Sequence, residues 1–285
     1  MLEKLRDFDW SSVEHAYGEA TDVPDLIELL ATGDQDDAEA AQWELFGNLW
    51  HQGTVYEATG YAVPFFLELL GPKSKANRAW ILYYLSHLAT GNSYLDVHQD
   101  LWPENERKET DDFKEQLAKE LGDVKTAREA VRDGIPLYVD LLKHTDAEVR
   151  ANVGYLLPVF REDASKYWDA LLEAAKNDTD PIAKSSAQLA CWCVYDEETK
   201  DALLSFAKTA FATSDAELER WTLARLLVQM SPEDMSDDVL DARVNGLTSE
   251  ALAEAFSASP WGQSNVAAVT CQDLARTDPT HAHRF

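Results

Sequence analysis

Apolar residues recur at helical spacing along almost the whole chain, and strand signals are nearly absent. Asp22–Leu30 reads DVPDLIELL, Ala62–Leu70 AVPFFLELL and Gly134–Leu142 GIPLYVDLL. These three segments share one template: an aliphatic residue, a proline, then an apolar run ending in Leu-Leu. The prolines are Pro24, Pro64 and Pro136, spaced by 40 and 72 residues. A step of 72 is about two repeats of a helical solenoid.

The 72-residue offset is the sharper signal. Thr54–His87 aligns without gaps onto Thr126–Val159, with ten identities in 34 positions. Thr54-x-x-Glu57 and Thr126-x-x-Glu129 fit capping boxes at two helix starts. A proline about ten residues further on lacks an N–H and crowds the preceding turn, so the first helix is expected to kink or break there. A second helix follows. In TDAEVRANVGYLLPVF (Thr145–Phe160), Val149, Val153, Leu156, Leu157 and Phe160 form one apolar stripe. That pattern returns in TDPIAKSSAQLACWCV from Thr179 and SDAELERWTLARLLV from Ser214, at steps of 34 and 35 residues. Each copy opens with Thr or Ser and then Asp, a natural helix cap with charge suited to the dipole. DDAEAAQWELFGNLW (Asp36–Trp50) is a looser fourth copy.

TDAEVRANVGYLL resembles the second helix of a HEAT repeat. Asp146, Val149, Arg150, Val153 and Leu157 stand where that family places its Asp, its Val-Arg pair and its core. The proline-interrupted first helix is similar to that of armadillo repeats. HAYGEATDVP, HQGTVYEATGYAVPFFLELL and REAVRDGIPLYVDLL resemble a group of bacterial HEAT-repeat proteins of unassigned function. The resemblance covers roughly residues 10–230 and implies an all-α fold, a right-handed alpha-alpha superhelix (a HEAT/armadillo-like solenoid) with kinked first helices. Lys184 and Glu219 replace the family arginine in the second and third copies, which leaves the Asp–Arg ladder open there. The His-Glu pairs of HEAT-like iron hydroxylases do not occur. Nor does the basic concave surface of HEAT-like DNA glycosylases, and nothing identifies a bilin site.

The expected organisation is a single solenoid over residues 1–285. Acidic N-terminal repeats occupy 10–90, a loop insertion 91–112, central repeats 113–230, and C-terminal capping helices 231–285. Ser231-Pro232-Glu233-Asp234 reads as a helix start. TDPTHAHRF, at residues 277–285, reads as a frayed tail.

Charge changes the picture. The formal net charge is −27, and from Asp7 to Pro72 there are fourteen Asp and Glu and no Lys or Arg. Such a surface disfavours nucleic acid and anionic membranes. It suits solubility or a salt-loving source first, and a basic protein or peptide partner docking near the N-terminus second. No 18-residue apolar run and no signal-peptide core occur, so a cytoplasmic location is expected. Cys191 and Cys193 form CxC rather than CxxC, and read as buried thiols. No nucleotide-binding, GxSxG or HExxH motif is present, so neither cofactor nor metal is expected. His98 with Asp100 is too small a set to imply a metal site.

His51, just before Gly53, reads as a helix C-terminal corner. Yet HQG is absent from the second copy, where Asp123, Val124 and Lys125 align. His51, Gln52 and Tyr56 are therefore candidate binding residues, within the window that lacks any basic side chain. Glu39 and Glu44 would steer a basic partner, and Trp80, Tyr83 and Tyr155 would anchor it if they lie outside the core. The expected role is non-enzymatic protein binding, one concrete form being an immunity or antitoxin protein that neutralises a cationic toxin. A constitutive scaffold or assembly factor, and a HEAT-like lyase or metal-dependent enzyme using the 91–112 loop, stand as alternatives.

Overall fold

The computed structural model describes residues 2–98, 110–232, 236–263 and 265–275. Fifteen α-helices and 72% helix make the described chain mostly helical, as the periodicity predicts. No described helix is long and apolar enough to cross a membrane. The chain divides into two compact units, residues 1–136 and 137–285.

The first unit holds two short hairpins among six helices: β1 (Glu14–His15), β2 (Gly18–Glu19), α1 (Val23–Thr32), α2 (Gln35–Asn48), β3 (Trp50–His51), β4 (Thr54–Val55), α3 (Glu57–Leu69), α4 (Arg78–Thr90), α5 (Tyr94–Val97) and α6 (Asp111–Arg132). α3 packs on α4 and α6, and α1 on α2. Its core includes Ile27, Leu45, Phe66, Leu82, Tyr84 and Ala127. Gly60 lets α3 approach α6 closely, because a Cβ there would press on Thr126.

The unit boundary falls within α7 (Ile135–Leu141). Beyond it come α8 (Ala147–Leu156), two short 3-10 segments kinked at Phe160 (Leu157–Lys166), α9 (Trp168–Asn177), α10 (Pro181–Val194), α11 (Lys200–Thr213), α12 (Glu217–Met230), α13 (Asp237–Val244), α14 (Glu250–Ser257) and α15 (Val266–Ala275). α10 packs between α8 and α12, and α9 touches α11. The stripe Val149, Val153, Leu156, Leu157 and Phe160 is buried throughout. Asp146 and Asp180 cap α8 and α10 through their side chains. In the third copy no side chain caps α12.

The open Asp–Arg ladder is filled by other pairs. Arg150 binds Asp178 at 2.7 Å, Lys184 binds Glu219 at 2.8 Å and Arg220 binds Asp238 at 2.8 Å. Arg220, one residue past the expected position, donates to the carbonyls of Phe211 and Ser214. Arg150 does the same to His144 and Thr145, and Arg78 to Leu70, Gly71 and Ser74. Each arginine thus holds the carbonyls left open where the preceding helix ends.

Several local expectations are corrected. Neither capping box forms. Thr54 lies in β4, and α3 begins at Glu57, where Thr59 Oγ1 accepts from the Tyr56 N–H at 3.0 Å. Thr126 sits inside the 22-residue α6 and donates to Gly122. The proline has three roles. Pro24 is in the first turn of α1, and Pro136 opens α7 after a break behind α6. Pro64 lies within α3, which runs unbroken because the neighbouring Val63, Phe65 and Phe66 are buried. The 91–112 loop contains α5, and α6 starts at Asp111. Asp100, Glu233, Asp234 and the TDPTHAHRF segment lie outside the described residues.

Candidate functional site

His51 is not a helix corner. α2 ends at Asn48, and Trp50–His51 pairs antiparallel with Thr54–Val55. The turn between them carries φ +52° at Gln52 and φ +92° at Gly53. Two successive left-handed residues define a tight hairpin turn that twists with its strands. Val124 and Lys125, the aligned pair, offer no glycine at this point, and the chain there continues as α6. Gln52 carries a left-handed backbone that asparagine adopts more readily. Gln52→Asn is therefore expected to raise the unfolding free energy by about 0.5 kcal/mol, read by urea denaturation.

The other hairpin also ends its first strand on a histidine. His15 Nδ1 accepts from the Tyr17 N–H at 3.0 Å, so Nε2 carries the proton donated to Asp22 at 2.9 Å. Asp22 in turn accepts from Asn48 at 2.6 Å, and the Ala16 N–H bonds the Asn48 carbonyl. His15 thereby ties its hairpin to the end of α2. The Tyr17 phenol reaches His51 Nδ1 at 3.3 Å, which joins the two turns. The second turn is held from behind by Asn92, through the Asn92 N–H to Gly53 and the Val55 N–H to Asn92.

That contact leads into α5. Glu120 of α6 accepts from the Ser93 hydroxyl at 2.7 Å and the Leu95 N–H at 2.9 Å. It fixes the start of α5, and so the positions of Tyr94 and His98. The His98 ring stacks on Tyr94, and its Nδ1 lies 2.8 Å from the Tyr94 carbonyl. A carbonyl only accepts, so this nitrogen carries a proton. Glu120→Ala is expected to speed amide exchange at residues 94–98 by about tenfold or more, through the loss of its two charge-assisted bonds. Exchange in α10 should not change.

Together these elements enclose a cleft of about 450 Å³ within the first unit. Its walls are the two turns, the start of α3, α5 and one face of α6. Gln116, Lys119, Glu120 and Asp123 follow the i, i+3, i+4, i+7 spacing of a single helix face. Lys119 Nζ sits 3.0 Å from Glu57 Oε2. That bond, with the charges of Glu57, Asp123 and Glu14, holds the lysine above its ordinary range. Burial pushes the Asp123 carboxyl up; Lys119 pulls it down, and Glu57 and Glu120 push it further up. Burial likewise raises the Tyr56 phenol, aided by nearby Tyr17, Glu120 and Tyr94, so it stays neutral at pH 7.

The structure sorts the sequence candidates into separate places. His51, Gln52 and Tyr56 line the cleft. Trp80 and Tyr83 belong instead to a half-buried aromatic cluster of α2 and α4. There Trp80 stacks on Tyr84, and Phe46 meets Trp80, Tyr83 and His87. Glu39 and Glu44 are exposed on α2 beside Trp43, which is 81% exposed. Tyr155 lies in the second unit, edge-on to Trp261, and accepts from Gln263. It is therefore not part of the cleft. Among the described residues no group of three or more His, Cys, Asp or Glu is arranged to hold a metal ion. Cys191 is buried and Cys193 half-buried; burial raises both thiols, Cys193 to about 11, so neither is a ready nucleophile at neutral pH.

No known protein family, curated protein or solved structure matches the chain. The cleft therefore rests on its own geometry. Sequence reasoning missed Glu14, His15, Tyr94, Lys119, Glu120 and Asp123. Two signals could have found them: the matching His-x-x-Gly and His-x-Gly turns, and the polar stripe along α6.

Proposed function

We propose that the chain is a HEAT/armadillo-like solenoid that binds a basic protein partner, and that the cleft of the first unit receives one of that partner's arginine or lysine side chains. The observation that carries this reading is the cleft's charge. Glu14, Glu57, Glu120 and Asp123 line it against a single Lys119, and Glu14 and Glu57 come from the Asp7–Pro72 window that has no Lys or Arg. Carboxylates steer a cationic partner and give it specificity. Tyr56 and Tyr94 add aromatic faces beside them, suited to a guanidinium. The stacked second helices of the second unit and their ion-pair ladder support the repeat assignment. An immunity or antitoxin protein masking a cationic toxin is one setting; an assembly factor holding a basic subunit is another.

The test is titration of a hexa-arginine peptide by calorimetry at about 50 mM salt, within the range where surface charges still act. Binding is expected, weakening steeply by about 300 mM salt. The Glu57→Gln/Asp123→Asn double variant should bind about tenfold or more weakly, while keeping its helical circular dichroism. Binding that is indifferent to both salt and this substitution would sink the reading.

A further inference from the structure

Lys119 is the one Lys or Arg among the described residues that line the cleft. Four carboxylates line the same wall. The lysine is not needed to hold α3 on α6, since Gly60 already packs against Thr126 and Ala127 is fully buried at that crossing. Nor is it locked in place. Its side chain is 50% exposed, against 28% for Glu57. A lysine has a flexible four-carbon stem, and exposed ion pairs contribute little to stability.

We infer that Lys119 is a built-in stand-in for the ligand, its ammonium occupying Glu57 until a basic side chain of the partner displaces it. This rests on the cleft being a cation site, as proposed above. An incoming guanidinium would replace one point contact with a planar fork that meets a carboxylate through two parallel bonds. Asp123, next along the α6 face and crowded by Glu57 and Glu120, would gain a neutralising neighbour. The Glu120 carboxylate is engaged with Ser93 and Leu95, which leaves Glu14, Glu57 and Asp123; of these Glu57 holds the ammonium directly and Asp123 stands one turn from Lys119 on the same helix face, so they form the receiving pair. Displaced Lys119 would swing towards solvent. Free protein thus avoids bare, mutually repelling carboxylates, and only a better-fitting cation opens the seat. The sign is diagnostic. If the cleft instead took an anion, Lys119 would be its anchor, and losing it would weaken binding.

The experiment compares hexa-arginine affinity in wild type, Lys119→Met and Lys75→Met. Lys75 is exposed and outside the cleft lining, so it makes the same change in net charge elsewhere. Lys119→Met is expected to bind about fivefold or more tightly than wild type, the Coulomb cost of one nearby like charge. Lys75→Met should change affinity less than twofold. If Lys119→Met binds no better than Lys75→Met, or more weakly than wild type, the stand-in is overturned. The cation-site reading then survives if Glu57→Gln/Asp123→Asn still loses affinity. If neither wild type nor Lys119→Met binds the peptide at low salt, the cation-site reading falls and takes the stand-in with it.

Discussion

Arg150→Met is expected to lower the free energy of unfolding by about 3–5 kcal/mol, the range for removing one partner of a buried ion pair. The guanidinium meets both oxygens of Asp178, at 2.7 and 2.8 Å. It also donates to the carbonyls of His144 and Thr145. The side chains are only 14% and 4% exposed, so methionine would leave a buried carboxylate without its countercharge. Asp178→Asn in the Arg150→Met background should recover part of the loss, because the uncompensated charge is then gone. A double-mutant cycle by urea denaturation measures the coupling. The pair also sets an acid limit. Burial alone would raise the Asp178 carboxyl; the Arg150 hydrogen bond and charge, with the N–H groups of Asp180 and Thr179, outweigh it and bring it below its ordinary value. A depressed carboxyl stabilises the fold above its unfolded value, near pH 3.9, and that stability fades as pH falls through the lower folded value. Wild type should therefore lose stability below about pH 4, and Arg150→Met should lose less of its remaining stability over the same interval.

Tyr84→Ala should cost a similar amount, about 3–5 kcal/mol, in the first unit. The ring is fully buried and in contact with Phe46, Phe66 and Trp80 at centroid distances of 4.7, 5.4 and 4.8 Å. Its hydroxyl donates to the Leu45 carbonyl at 2.5 Å. Alanine would remove the ring that joins α2, α3 and α4 and leave a cavity that rigid helices cannot fill. Tyr84→Phe keeps the ring. Leu45 still accepts from the Leu49 N–H, so its carbonyl is not orphaned, and the cost should stay near 1 kcal/mol. Comparison of the three proteins by denaturant unfolding separates packing from hydrogen bonding. A Tyr84→Phe loss as large as that of Tyr84→Ala would contradict this division.

The helices were legible because their apolar stripes repeat with the right period, and the buried stripe of α8 follows the pattern residue by residue. What escaped was local. The 72-residue alignment is sound in its core positions, yet Thr54 opens a strand while Thr126 lies in mid-helix. A two-residue strand has too few positions to show alternation, so both hairpins lay beneath the reach of periodicity. Their signal was instead a glycine in the right place, and Gly53 also fits a helix end. The capping boxes failed for a related reason: Thr-x-x-Glu suits a helix start but does not forbid a helix interior. The cleft was half visible. His51, Gln52 and Tyr56 stood out because the second copy lacks HQG. The α6 wall lies some 65 residues away in sequence and is brought alongside only by the α3–α6 packing. Tyr83 and Tyr155, equivalent in the alignment, have unrelated neighbours, since the aromatic partners of each come from elements that the template does not repeat.

The turn at Gln52–Gly53 marks where two similar segments of the chain part company. Similar helical segments keep alike interiors, because every buried position is coupled to its neighbours. A reversal of chain direction at the edge of the unit leaves that interior untouched and yet exposes polar side chains on the far side of the reversal. In this chain one such dipeptide turns what is continuous helix in one copy into an opening in the other. A change of backbone handedness at a junction can therefore reshape the surface of a helical chain while the buried positions on either side keep their packing.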